Sequence, residues 1–224
     1  MKKKINFMKD KKFFEFKPPS GNKPGQLVLF LHGYGSNGEN MISLAHEFAK
    51  TLPNAHFISP NAPQGFDEPF YDGYQWFSLK SYDPQIIYPQ IISANNFLDN
   101  FIAQHLERLE LSYEKLIIVG FSQGSMMAMY NSLRSRKKIA GVISYSGKLI
   151  LPTVLSDKIN SKPSICLIHG TADQVVPYHN MVEAEKILKE LQIPYEAHTI
   201  EDLEHHIDFR GIAFARKFIE NIAF

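Results

Sequence analysis

The sequence predicts an α/β fold, with a mostly parallel central sheet covered by helices on both faces. Three observations carry that reading. Apolar runs of strand length alternate with segments of helical period along nearly the whole chain. The clearest strand-like run, Leu27-Val-Leu-Phe-Leu31, is continuously apolar rather than alternating, as befits a strand buried on both sides. The composition, 44% hydrophobic and 21% charged over 224 residues, is that of an ordinary globular chain able to fill one core.

The elements follow in order. Leu27-Val-Leu-Phe-Leu31 reads as a buried strand ending at Gly33, and Ala55 to Ser59 as a shorter second one. Leu116-Ile-Ile-Val119, Gly141 to Tyr145, Ile165 to Ile168 and Tyr195 to Ile200 continue the series. Ile91, Asn95, Leu98, Ile102, Leu106 and Leu109 step by three or four and lay one helical stripe against a sheet. Further helices are expected after Ser122, around Met181 to Leu191, and from Ile207 to Asn221. The 28 residues from Ala62 to Pro89 lack a sustained period but hold eight aromatics. They read either as a packed-down loop or as a wall of an apolar substrate pocket.

Residues 1–17 carry seven lysines against Asp10 and Glu15, a local +5 in a chain of net charge +1. No apolar stretch of signal-peptide length follows, so the segment reads as a solvated leader with room for a first edge strand, before a domain over 18–224. One short lysine cluster is a poor footprint for nucleic acid. No apolar run approaches the roughly 20 residues of a membrane span. The single cysteine, Cys166, excludes an internal disulfide, fits a reducing, cytoplasmic setting, and reads as core.

Chemistry concentrates in three places. Gly120-Phe-Ser-Gln-Gly124 is a G-x-S-x-G between an expected strand and an expected helix, the setting of a nucleophile elbow with Ser122 at the turn. A serine needs a base, and in this architecture an acid and then a histidine follow it in chain order. His169-Gly-Thr-Ala-Asp173-Gln-Val-Val-Pro177 offers Asp173 just past a strand, where capping the next helix is its other reading; Asp157 and Glu183 are less well placed. Among the nine histidines, His46, His56 and His105 precede the serine and read as helix or strand surface, while His205 and His206 lie in the loop before the last helix. Chain order does not separate that pair. In the loop Leu31-His-Gly-Tyr-Gly-Ser-Asn-Gly38 the backbone N–H groups follow a buried strand and suit an oxyanion, together with that of Gln123. Gly33-x-Gly35-x-x-Gly38 also mimics a dinucleotide fingerprint, but the second strand ends Phe57-Ile-Ser-Pro60 without the carboxylate that a ribose would need.

Taken with Trp76-Phe77 and Leu203-Glu-His205, these blocks resemble the small carboxylesterase, or acyl-protein thioesterase-like, family of the α/β-hydrolase fold. The resemblance runs from residue 27 onward. It implies a single-domain hydrolase without a large lid, cleaving carboxylic esters or thioesters of small to medium acyl chains through a serine acyl-enzyme, with no metal or cofactor. It puts the nucleophile on Ser122, the acid on Asp173, the base on His205, the oxyanion donors on the Tyr34 and Gln123 amides, and substrate contacts on Trp76 and Phe77. Glu204 stands where the family commonly has glycine, which keeps His206 in play, and Ser125 where a second glycine is frequent. Rival expectations are a catalytically silent binding module of the same fold, an enzyme acting on lipid chains as an acyl-protein thioesterase or lysophospholipase, and a peptidase or lipase. The partner expected is a small-molecule ester or thioester rather than nucleic acid or a membrane, and relatives are often dimers, so a homodimer is admitted.

Overall fold

A seven-stranded sheet organises the molecule, and a computed structural model describes residues 13–68, 70–81, 83–152, 158–222 and 224 of it. Leader residues 1–12, Tyr82 and Asp157 lie outside the described residues. The strands are β1 (Phe13–Phe16), β2 (Gln26–Leu31), β3 (Ala55–Pro60), β6 (Leu116–Phe121), β7 (Gly141–Tyr145), β8 (Ser164–Gly170) and β9 (Tyr195–Ile200). A two-stranded hairpin, β4 (Gln64–Gly65) with β5 (Tyr74–Gln75), stands apart. The sheet order is β1-β3-β2-β6-β7-β8-β9, parallel throughout except for β1, which runs antiparallel to β3 at one edge.

Alternate residues of each central strand feed two cores. Leu27, Leu29 and Leu31 face α3 (Pro84–Leu109), α4 (Gln123–Arg134) and α5 (His179–Glu190). Val28 and Phe30 face α1 (Gly38–Ile42), α2 (Ala45–Phe48) and α6 (Phe209–Glu220). Burial on both faces is what makes these strands continuously apolar. Cys166 is fully buried within the second core.

Several expectations need correction. The aperiodic stretch ends earlier than Pro89, because α3 begins at Pro84, capped by the Asp83 side chain, with Pro89 inside its early turns. Prolines there conceal the helical period, although Pro at the first helical position forfeits no hydrogen bond. Helices α1 and α2 are too short to show a period in the sequence. His56 and His105 are buried rather than on the surface: β1 covers them, His56 pairing with Glu15 and His105 packing against Phe13.

Candidate active site

The turn after β6 is strained. Ser122 has φ 52 and ψ −119, outside the regions open to an ordinary L-residue, a conformation that costs about 1–3 kcal/mol and concentrates at functional sites. Its N–H donates to the Tyr145 carbonyl at 2.9 Å and its carbonyl accepts the Met126 N–H at 3.1 Å, so strand ladder and helix both grip the turn. The flanking glycines are needed for close approach. A methyl on Gly120 would lie 2.5 Å from the Gly124 carbonyl oxygen, and one on Gly124 would lie 2.1 Å from that of Leu31. Ser125 tolerates burial because its hydroxyl meets that of Ser144 at 2.5 Å.

Asp173 lies beyond β8, buried, with both carboxylate oxygens engaged. Oδ1 accepts the Val175 and Val176 N–H groups at 2.9 Å each, and Oδ2 faces His205 Nδ1 at 2.7 Å. Asp173 therefore holds the turn at Val175 and Val176 with one oxygen and meets His205 with the other; it does not cap α5, whose N-cap is Tyr178 with no side-chain bond. A carboxylate partner requires Nδ1 to carry the proton, which leaves the Nε2 lone pair to accept one. The His205 ring rests on Phe121, centroids 4.8 Å apart, beside the residue that leads into Ser122. Two loops are tied to make this possible: Thr171 N–H donates to the Ile200 carbonyl, Ala172 N–H to that of Leu203, and Asp202 N–H to the Thr171 hydroxyl. His206 is exposed and its N–H turns back to the Glu204 carbonyl. A second histidine, His169, has Nε2 2.7 Å from the Val176 carbonyl and 3.2 Å from Asp173 Oδ2, and burial holds its pKa below the usual value.

The loop after β2 completes the surround. Neither the Tyr34 N–H nor that of Gln123, first in its helix, has a protein acceptor among the described residues, and both residues line the same cavity as Ser122. His32 fixes the loop from behind: Nδ1 donates to the Gly33 carbonyl at 2.7 Å and Nε2 accepts the Ala62 N–H at 2.9 Å. Burial pushes its pKa down to about 4, so it stays neutral. The Tyr34 hydroxyl donates to Asp67 Oδ2 at 2.9 Å; burial and that carboxylate together raise its pKa to about 12.

The cavity occupies about 590 Å³ and brings together Ser122, His205, Tyr34, Gln123 and Phe77. Trp76, expected at the substrate, does not line it. Its ring is fully buried, with Nε1–H donating to the His32 carbonyl at 2.9 Å, so the aromatic pair divides into one cavity wall and one core residue. Sequence reasoning missed the Gln123 side chain, whose Oε1 accepts the Trp76 N–H at 2.8 Å and whose Nε2 donates to the Phe77 carbonyl at 2.7 Å. It also missed the wall formed by Leu149, Ile150 and Leu151, which carries no motif. Away from this cavity, Cys166, Glu196 and His198 gather metal-type donor atoms within 4.8 Å, but Glu196 and His198 already bond to each other at 3.0 Å.

Comparison with known proteins adds an independent line. Residues 18–223 match the model of the Phospholipase/Carboxylesterase family. The chain is 31% identical over 209 residues to acyl-protein thioesterase 1 homolog 1 of Dictyostelium discoideum, covering 86% of this chain and 88% of that one. It is 27% identical over 198 residues to esterase YpfH of Escherichia coli K12, covering 88% and 83%. The crystal structure of esterase PE8 superposes with a TM-score of 0.88 at 34% identity, covering 95% of this chain and 99% of that one.

Proposed function

The chain belongs to the phospholipase/carboxylesterase family, a hydrolase of carboxylic esters or thioesters, and from that premise we propose that Ser122, His205 and Asp173 are its catalytic triad. The observation that carries the assignment is the 2.7 Å bond from His205 Nδ1 to the buried Asp173, with His205 lining the same cavity as the strained Ser122. Ser122 Oγ attacks the acyl carbon while His205 Nε2 takes its proton, and Asp173 stabilises the imidazolium that forms. The Tyr34 and Gln123 N–H groups hold the oxyanion, a role worth roughly 3–4 kcal/mol per donor. Collapse expels the alcohol or thiol with the proton returned by His205. Water, activated by the same histidine, then releases the acid.

Phe77 and the apolar wall favour an acyl chain of small to medium length, and Trp76 supports that wall rather than touching substrate. No helix among the described residues is long and apolar enough to cross a membrane. The deciding experiment is hydrolysis of p-nitrophenyl esters from acetate to palmitate by wild type, Ser122→Ala, His205→Ala and His206→Ala. Loss on the order of 10⁴-fold or more is expected for the first two variants and little for the third. Equal activity of Ser122→Ala and wild type would defeat the assignment, and an inert wild type would favour the binding-module reading.

A further inference from the structure

One cation, Lys148, lines the catalytic cavity without a partner among the described residues. Lys148 follows β7 by three residues and is half-buried among Ser122, Gln123, Met126 and the wall beginning at Leu149. Among the described residues its ammonium has no ion pair and no hydrogen-bond acceptor, although it carries three donors. The cavity's own acid, Glu183 on α5, is exposed and forms no ion pair with it. The backbone that delivers Lys148 is rigidly held. Ser146 adopts φ 48 with its N–H on the Ile168 carbonyl at 2.9 Å. A methyl on Gly147 would lie 2.1 Å from Ser125 Oγ and 3.4 Å from the Ser122 carbonyl oxygen, so the segment is wedged against the elbow itself.

A pocket that only had to hold hydrocarbon has no use for a cation in its wall, whereas a half-buried lysine beside Ser122 is placed to meet an anion entering the cavity. We propose that Lys148 recognises an anionic group on the substrate, a carboxylate or phosphate carried by either the acyl chain or the leaving group. The inference rests on this cavity being the site of acyl transfer. It makes Lys148 a specificity determinant: the ammonium pairs with the anion and orients the ester carbonyl toward Ser122.

The test uses two matched pairs of esters with wild type, Lys148→Met and Lys148→Arg. Mono-p-nitrophenyl adipate against its methyl ester places the charge on the acyl side. Para-(butyryloxy)benzoate against its methyl ester places it on the leaving group. The readout is the ratio of kcat/KM for the charged and neutral members within each variant, so a general loss of activity cancels. Wild type is expected to show a ratio on the order of tenfold higher than Lys148→Met in one pair, with Lys148→Arg retaining most of it. The pair that responds identifies which half of the substrate bears the anion. Equal ratios in wild type and Lys148→Met for both pairs overturn the inference while leaving acyl transfer intact. Failure of wild type to cleave any of the four esters overturns the acyl-transfer reading and this inference with it.

Discussion

The side chain of Gln123 is bonded to the main chain on both sides of the Trp76–Phe77 peptide, accepting from Trp76 N–H at 2.8 Å and donating to the Phe77 carbonyl at 2.7 Å. One residue thus lines the cavity and holds the cavity's aromatic wall with its amide. Gln123→Ala keeps the backbone N–H but leaves two buried backbone groups unpaired, at a cost of about 1–3 kcal/mol each. The expected outcome is a clear drop in melting temperature together with reduced kcat/KM. An unchanged melting temperature would deny the side chain its role as a clip.

Asp67 anchors the loop that carries Tyr34. Its Oδ2 accepts the Tyr34 hydroxyl at 2.9 Å and that of Ser78 at 2.6 Å. Burial acts to raise this carboxyl, yet the hydrogen bonds from Ser78, Gln75 and Tyr34 hold it below the usual range. Asp67→Ala is expected to lower kcat about tenfold, and Tyr34→Phe, which removes only one of the bonds, to lower it less. Steady-state kinetics on a short neutral ester checks the order. A larger loss in Tyr34→Phe would place the effect in the tyrosine rather than in its anchor.

His105 sets a pH dependence of stability. It is buried between Phe13 and Phe101, ring centroids 4.9 and 4.3 Å away, and neither ring nitrogen has a partner among the described residues. Desolvation pushes its pKa down to about 4, with Arg108 reinforcing and Glu15 opposing. The folded state therefore resists a proton that the unfolded chain accepts near pH 6.5, so stability is complete above that value and falls as pH drops toward 4. The loss from this one group is about 2 kcal/mol at pH 5. His105→Phe is expected to match or exceed wild type at pH 7 and to gain further at pH 5, as read from thermal melts. His32, also held near 4, leaves a residual slope in the variant. Parallel pH profiles for the two proteins would contradict this account.

Gly124 and Gly65 make a paired test of close approach. A methyl on Gly124 meets the Leu31 carbonyl oxygen at 2.1 Å, backbone against backbone, whereas nothing lies within 4 Å of one on Gly65. Gly124→Ala is expected to destabilise by more than about 4 kcal/mol or to abolish folding, and Gly65→Ala to stay within about 0.5 kcal/mol of wild type. Circular dichroism of both purified variants decides the matter.

Much of this protein was legible before any coordinates. The six parallel strands lie within two residues of their sequence bounds, and for a central strand such as β2 the reason is that burial on both faces leaves a continuous apolar run. The elbow was legible because a tight strand-to-helix turn demands glycine on either side of its serine, and Asp173 because it stands directly past a strand. Helices α1 and α2 were not, since five and four residues span barely one turn of periodicity. The helical start at Pro84 was hidden by its prolines.

By itself the sequence determined the fold class, the order of the elements and the residue types able to perform acyl transfer, because period, turn chemistry and chain order are local properties. Only the tertiary structure decided which side chains meet. The bond to Asp173 falls on His205 rather than its neighbour because backbone hydrogen bonds tie the loops after β8 and β9, 32 residues apart at that contact. Trp76 lies in the core and Phe77 on the cavity, with the Gln123 side chain pinning the main chain on both sides of their shared peptide. His105 is buried by a strand more than 80 residues away, and Lys148 lines the same cavity as Ser122, next to Gly147, which is wedged against Ser125. Each of these outcomes depends on contacts between segments distant in the chain, which leave no period and no motif in the sequence.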